Sequence, residues 1–192
     1  MKKKIAILGS TGSIGKSLIK ILKKDKNNFK IILLTCNSSY RELLRQADMF
    51  NVKNVIIKDY KTFLHVKKIL KDKKINIYNR FDVFDKIFNQ KIDYTMSAIS
   101  GFDALKPTLD IIKYTKVIAL ANKESIICGW SLISKNIKKY KTKFIPIDSE
   151  HFSIWSLINN SKNANIEKVF ITASGGPFKN LPLSDFKLIT QQ

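Results

Sequence analysis

Cysteine is scarce in this 192-residue chain: Cys36 and Cys128 are the only two, and they stand far apart. That spacing speaks against a disulfide framework or a cysteine-built metal knot, and it suits a reducing cytoplasm. Long apolar runs are lacking as well. The basic opening Met1–Lys4 leads only into Ile5–Leu8 before the first glycine, too short for a signal core or a membrane span. Arginine is limited to Arg41, Arg45 and Arg80, although Lys and Arg together number 35 against 15 acidic residues, a net charge of +20. A basic protein attracts phosphate, so nucleic-acid binding has to be weighed. The usual bidentate base reader is arginine, however, and the lysines here are scattered along the chain. Solvated surface lysine is the simpler reading, and neither nucleic acid nor membrane is expected as a partner. No internal repeat or low-complexity segment interrupts the chain, and 44% hydrophobic residues suit a globular domain with a proper core.

What is present is organised around Met1–Lys16, MKKKIAILGSTGSIGK. A short apolar run is followed by Gly9, Gly12 and Gly15, then by apolar positions 18, 19, 21 and 22, which suit a helix packed on a sheet. Strand, glycine turn and helix form the context of a dinucleotide fingerprint. Gly9 permits the tight turn, Gly12 lets backbone approach a pyrophosphate, and Gly15 lets helix and strand pack closely. The helix N-terminus offers N–H groups to the anion, and Ser10, Thr11 and Ser13 add hydroxyls. An ordinary glycine-rich βα turn has the same outline.

Strand and helix patterns then alternate, which predicts βαβ units and a parallel sheet. Strands are expected at Lys4–Leu8, Phe29–Cys36, Asn54–Lys58, Ile75–Tyr78, Lys116–Ala121, Lys143–Ile147 and Glu167–Ala173, and Ile92–Ser100 reads as strand and loop. Helices are expected over Tyr40–Asn51, Tyr60–Lys71, Phe81–Phe88, Phe102–Lys113, from Asn122 to about Lys138, and over Phe152–Ile158. An NAD site places an acid at the end of the second strand to hold the ribose 2′-hydroxyl. Here that end reads Thr35-Cys36-Asn37-Ser38-Ser39-Tyr40-Arg41, with no carboxylate. Amide, hydroxyls and a nearby guanidinium suit a 2′-phosphate, favouring NADP(H), although Ser39 could equally cap the next helix. Asn122-Lys123-Glu124-Ser125 stands at the carboxyl end of a strand, where open α/β sheets bind ligands; Asn122 as N-cap with Ser125 at the third helical position is the structural alternative. Asp148 and Glu150, read on extended backbone, project to one side and suit Mg²⁺ or Mn²⁺, with His151 orienting them. Capping of a helix start explains the same residues. Ser174-Gly175-Gly176 offers a weaker anion nest, and Ser184 a candidate cap. His65 lacks a partner motif and reads as a structural or surface residue.

Taken together, GSTGSIG at 9–15, ANKES at 121–125, DSEH at 148–151 and SGGPF at 174–178 resemble 1-deoxy-D-xylulose 5-phosphate reductoisomerases, in order and spacing, across essentially the whole chain. The resemblance implies rearrangement and NADPH-dependent reduction of 1-deoxy-D-xylulose 5-phosphate to 2-C-methyl-D-erythritol 4-phosphate in isoprenoid biosynthesis, with Mg²⁺ or Mn²⁺. It implies a glycine-loop cofactor site (Gly9, Ser10, Thr11, Gly12, Ser13, Ile14 and Gly15), with Asn37, Ser38 and Ser39 beside the 2′-phosphate and Asn122 and Glu124 on the cofactor. The lysine that some relatives have in the 37–39 loop is missing. Lys123, Ser149, Glu150 and Ser174 would meet the phosphorylated sugar substrate, and Asp148 and Glu150 the metal; Lys123, Asp148 and Glu150 would be catalytic. The full-length family enzyme is expected as a homodimer, cytoplasmic or, in a eukaryote, in an organelle stroma.

The expected fold is α/β: a Rossmann-like doubly wound parallel sheet over residues 1–147, with the start of a second, catalytic α+β domain at 148–192. Family members are longer, so this chain is expected to be an amino-terminal portion, inactive alone. Two alternatives stand beside this reading. One is another NADP-dependent oxidoreductase domain, which as an aldehyde-type enzyme would need a loop thiol that neither cysteine supplies. The other is a non-catalytic nucleotide-binding module, which leaves the paired carboxylates unexplained.

Overall fold

Side chains alternate sides along a β-strand, and in the computed structural model of the protein this alternation sorts the apolar residues into two cores. The structure describes residues 1–70, 75–160, 166–171, 178 and 180–190. Among them, β1 Lys3–Leu8, β2 Phe29–Cys36, β3 Asn54–Ile57, β4 Asn76–Tyr78, β5 Ile92–Ser97, β6 Thr115–Leu120 and β7 Lys143–Pro146 form one sheet in the order β4-β3-β2-β1-β5-β6-β7. Every neighbouring pair is parallel. The helices are α1 Ser13–Lys24, α2 Tyr40–Phe50, α3 Tyr60–Ile69, α4 Phe84–Ile87, α5 Leu105–Ile111, α6 Lys123–Tyr140 and α7 Ser149–Asn160.

Ile5 and Ile7 of β1 join Ile19 and Leu22 of α1, Leu43 and Ala47 of α2 and Val66 of α3 in one core. Ala6 and Leu8, from the same strand, join Phe84 of α4, Ile111 of α5 and Ile133 of α6 in the other. The central strands are therefore apolar on both faces, as a doubly covered parallel sheet requires. The chain builds outward from β1 to β4, then returns to pair β5 on the far side of β1. The strand order reverses there, and a crevice opens at the carboxyl ends of β1 and β5, where doubly wound sheets bind ligands.

Four local expectations need correction. Residues 166–171 form no strand, despite Val169, Phe170 and Ile171: extended backbone needs a partner ladder, and none of the described strands pairs with them; residues 172 and 173 lie outside the described residues. Ser184 is not a cap. The short 3₁₀ turn Leu183–Leu188 is entered through Pro182, whose φ of −58° already suits it, and the Ser184 hydroxyl donates to Asp185 Oδ1 (2.9 Å). Helix α7 starts at Ser149 rather than Phe152, so Asp148 and Glu150 do not share an extended stretch. The segment expected as one helix over 102–113 is a 3₁₀ turn at Phe102–Ala104, then α5, then a second such turn at Ile112–Tyr114.

Two compact units can be distinguished, Met1–Trp155 and Ser156–Gln192. The sheet and both cores lie in the first. The second contains the Leu183–Leu188 turn, with the rings of Phe178 and Phe186 6.3 Å apart. No helix among the described residues is long and apolar enough to cross a membrane.

Candidate functional site: the crevice at the β1–β5 switch

Gly9 leaves β1 at φ +80°, a conformation that L side chains rarely adopt. A Cβ there would also lie 2.6 Å from the Ala98 carbonyl oxygen, so the turn after β1 presses against the turn after β5. Thr35, near the end of β2, holds the loop from the other side. Its hydroxyl accepts from the Gly9 N–H (2.8 Å) and its carbonyl from the Ser10 N–H (2.9 Å). Gln46, fully buried on α2, donates to the Ser10 carbonyl (3.1 Å). Gly12 caps α1 with its backbone alone, and the N–H groups of Thr11, Ser13 and Ile14 find no acceptor among the described residues. Such orphan donors at a helix N-terminus favour an anion.

The crevice beside this loop has a volume of about 280 Å³ and is lined by Gly9, Thr11, Gly12, Thr35, Cys36 and Asn37 on one side and by Ala98, Ile99 and Ser100 across the switch. Of the residues expected at the 2′-phosphate, Asn37 lines the crevice; Ser38 and Ser39 do not. Ser39 stands at the N-cap of α2 without a side-chain cap bond. The Arg41 guanidinium lies over the Tyr40 ring, 5.8 Å from its centroid. Burial pushes the Cys36 thiol up to about 12, so it stays protonated at neutral pH and is no nucleophile.

Farther along the carboxyl edge, Asn122 caps α6, its Oδ1 accepting from the Ser125 N–H (2.6 Å), as the spacing predicts. Its amide donates to the Gly101 carbonyl (2.9 Å) and to Glu124 Oε2 (2.9 Å), tying the turn after β5 to the turn after β6. The N-terminus of α7 comes to the same edge: Lys123 Nζ lies 3.7 Å from Glu150 Oε2. Ser149 donates its hydroxyl to Glu150 Oε2 (2.8 Å). Asp148 accepts at Oδ1 from the His151 N–H (2.7 Å) and lies 2.8 Å from His151 Nδ1. Lys123, Asp148, Ser149 and Glu150 are thus neighbours, whereas Ser174 lies outside the described residues. No group of three or more His, Cys, Asp or Glu side chains that could by itself hold a metal ion is found among the described residues.

The Asp148 side chain is only 6% exposed. Burial, the largest influence, pushes its carboxyl up, but the His151 backbone and ring hydrogen bonds and the charges of His151 and Lys123 together outweigh it, and the net shift is down. A carboxylate held low in the folded state contributes stability above its unfolded pKa, about 3.9, and loses that contribution as pH falls through the lower folded value. Acid titration of the melting temperature should therefore show a steeper loss below about pH 4 for the wild type than for Asp148→Asn. The asparagine still caps α7 but carries no titrating charge. Parallel profiles would remove this role.

Residues 5–129 match the family model described as 1-deoxy-D-xylulose 5-phosphate reductoisomerase, and residues 144–192 match the model of that enzyme's C-terminal domain. The chain belongs to this family. It is 65% identical over 190 residues to the 1-deoxy-D-xylulose 5-phosphate reductoisomerase of Pelagibacter ubique (strain HTCC1062), a match covering 98% of this chain and 49% of the relative. Among solved structures, it superposes with a TM-score of 0.80 on the Zymomonas mobilis reductoisomerase in complex with NADPH, at 31% identity over 99% of this chain and 50% of that one. A DOX-P reductoisomerase in complex with NADPH, fosmidomycin and magnesium gives a TM-score of 0.76 at 28% identity, over 98% and 49% of the two chains. The chain spans about half the length of the curated relatives it matches.

Within this reductoisomerase fold, sequence patterning does not single out Gln46, the Ala98–Ser100 turn or Lys58. Gln46 leaves a trace: it is a polar residue on the α2 face that also carries Leu43, Ala47 and Phe50. The other two come to the crevice through strand order, which local sequence does not encode.

Proposed function

We propose that this chain supplies the NADPH-binding and part of the metal- and substrate-binding machinery of a 1-deoxy-D-xylulose 5-phosphate reductoisomerase, with the cofactor domain ending near residue 147. The observation behind this reading is the glycine-loop cradle at the strand-order switch. It is open at Gly12, where a Cβ would meet nothing closer than 3.5 Å, and it faces the carboxylate-free end of β2 across the crevice. Thr11, Gly12, Ser13 and Ile14 would hold the pyrophosphate, Asn37 and its neighbours the 2′-phosphate end, and Asn122 and Glu124 the nicotinamide end. NADPH supplies the hydride, and the residues around it orient the dinucleotide along the carboxyl edge.

The donor chemistry also fits a hard divalent cation, since Asp148 and Glu150 offer carboxylate oxygens. Both would have to exchange hydrogen bonds they make in this structure. Mg²⁺ or Mn²⁺ held there would polarise a substrate carbonyl. Lys123 and Ser149 would position a phosphorylated or hydroxylated substrate beside these carboxylates.

Titration of the 192-residue chain with NADPH and NADH, followed by nicotinamide fluorescence, tests the cofactor assignment. NADPH should bind at least about tenfold more tightly, the scale of one charge-assisted contact to the extra phosphate. Equal affinities would refute it. A second titration addresses the metal: Asp148→Asn should weaken Mn²⁺ binding while leaving NADPH binding unchanged.

A further inference from the structure

We propose that Lys58, at the end of β3, supplies the cation that distinguishes the 2′-phosphate of NADPH from the 2′-hydroxyl of NADH. This rests on the dinucleotide reading above and assigns its specificity to a residue outside the glycine loop and outside the 37–39 segment. Four observations support it. First, Lys58 follows Ile57, the last residue of β3, and its N–H donates to the Cys36 carbonyl (3.0 Å), while the Asp59 N–H donates to the Asn37 carbonyl (3.1 Å). Lys58 therefore starts one strand spacing, about 4.8 Å, from the end of β2, within easy reach of a lysine stem. Its backbone is held on the other side as well, because the Asn79 amide donates to the Ile57 and Lys58 carbonyls (2.8 and 2.9 Å).

Second, Lys58 lines the crevice together with Thr11, Gly12 and Asn37. It also lines the wider cleft of about 640 Å³ that continues from it past Phe81 and Asp103. Third, the other cations of that cleft are engaged: Arg80 pairs with Asp82 (2.9 Å) and Lys106 with Asp110 (2.7 Å). Lys58 makes no ion pair among the described residues. Fourth, the guanidinium that the sequence offers at the end of β2, Arg41, is stacked on Tyr40 and does not line the crevice. A compact ammonium on a flexible stem suits a phosphate dianion as a point charge. An unpaired lysine on a surface rich in lysine has no need to line a ligand crevice at all, and this one lines it beside the glycine loop.

The test measures dissociation constants for NADPH and NADH on the wild-type chain, Lys58→Gln and Lys58→Arg by nicotinamide fluorescence. Lys58→Gln should weaken NADPH roughly tenfold or more, the scale of one hydrogen bond to a charged group, and leave NADH within about twofold. Lys58→Arg should retain most of the NADPH affinity. NADPH affinity unchanged in Lys58→Gln would overturn this inference and leave the dinucleotide site standing. Equal weakening of both cofactors would overturn it too, since Lys58 would then touch something the two share. Failure of the wild type to bind either cofactor would overturn the site itself, and this assignment with it.

Discussion

Gly15→Ala is expected to lower the stability of the chain by about 1–2 kcal/mol and to abolish NADPH binding. A Cβ at residue 15 would lie 2.3 Å from the Gly9 carbonyl oxygen and 2.6 Å from the Ser10 Cα. These are backbone atoms, and the hydrogen bonds from Gly9 to Thr35 and to Ser10 from Gln46 hold their loop in place. Relief has to come from lifting α1 off the sheet, which loosens Ile19 and Leu22 in the first core. Alanine in a helix gains up to about 1 kcal/mol over glycine, and overpacking in a closely packed interior costs about 1–3 kcal/mol or more. The clash is with backbone on both counts, so the overpacking wins. Gly12→Ala makes the contrast. Its Cβ would meet nothing nearer than 3.5 Å, so folding should be nearly unaffected while the pyrophosphate cradle is filled. Urea unfolding and NADPH titration of the two variants separate the roles. A Gly15→Ala chain as stable as the wild type would show that α1 does not depend on that close approach.

Replacing Asn122 with leucine should cost about 2–3 kcal/mol, from the loss of a helix cap and of a hydrogen bond. Asn122 is 3% exposed, and leucine has the same four side-chain heavy atoms branching at Cγ, so no cavity is formed. The Ser125 N–H loses its cap, worth about 1–2 kcal/mol. The Gly101 carbonyl loses the amide that bonds it (2.9 Å) and keeps only the longer bond from the Ala104 N–H (3.3 Å), a loss of about 0.5–1.5 kcal/mol. Asn122→Asp should recover the cap and not the bond to Gly101, placing it between the two. The midpoint of urea unfolding reads both variants, with an unchanged slope showing that the folded state is the same. A leucine variant within about 0.5 kcal/mol of the wild type would mean that water replaces both bonds.

Much of this architecture is legible residue by residue. Phe29–Cys36 is strand over the whole of its expected range, because a continuous apolar run matches a strand covered on both faces. Asn122 and Ser125 announce the start of α6 by a local bond three residues long. The ends of the chain's regular structure are less legible where a distant partner decides. Glu167–Ile171 has the composition of a strand and no ladder to join among the described residues, and Phe102–Lys113 has a helical pattern that Gly101, at φ +74°, opens with a 3₁₀ turn. Asp148 and Glu150 were readable as a pair, but their geometry depends on whether residue 149 is extended or helical, and the Asp148 cap makes it helical.

The sequence by itself determined the fold class, the glycine turn and the family, because each is written in short-range spacing: period-two and helical apolar patterns, three glycines, and four motifs in order. It also determined that β2 ends without an acid. Which residues face that end was decided only by the tertiary structure. The order β4-β3-β2-β1-β5-β6-β7 sets Lys58 beside Asn37, Ala98 against Gly9 and Lys123 near Glu150. These pairs are separated in sequence by at least 21 residues in every case, and only pairing of parallel strands through long crossovers brings them together.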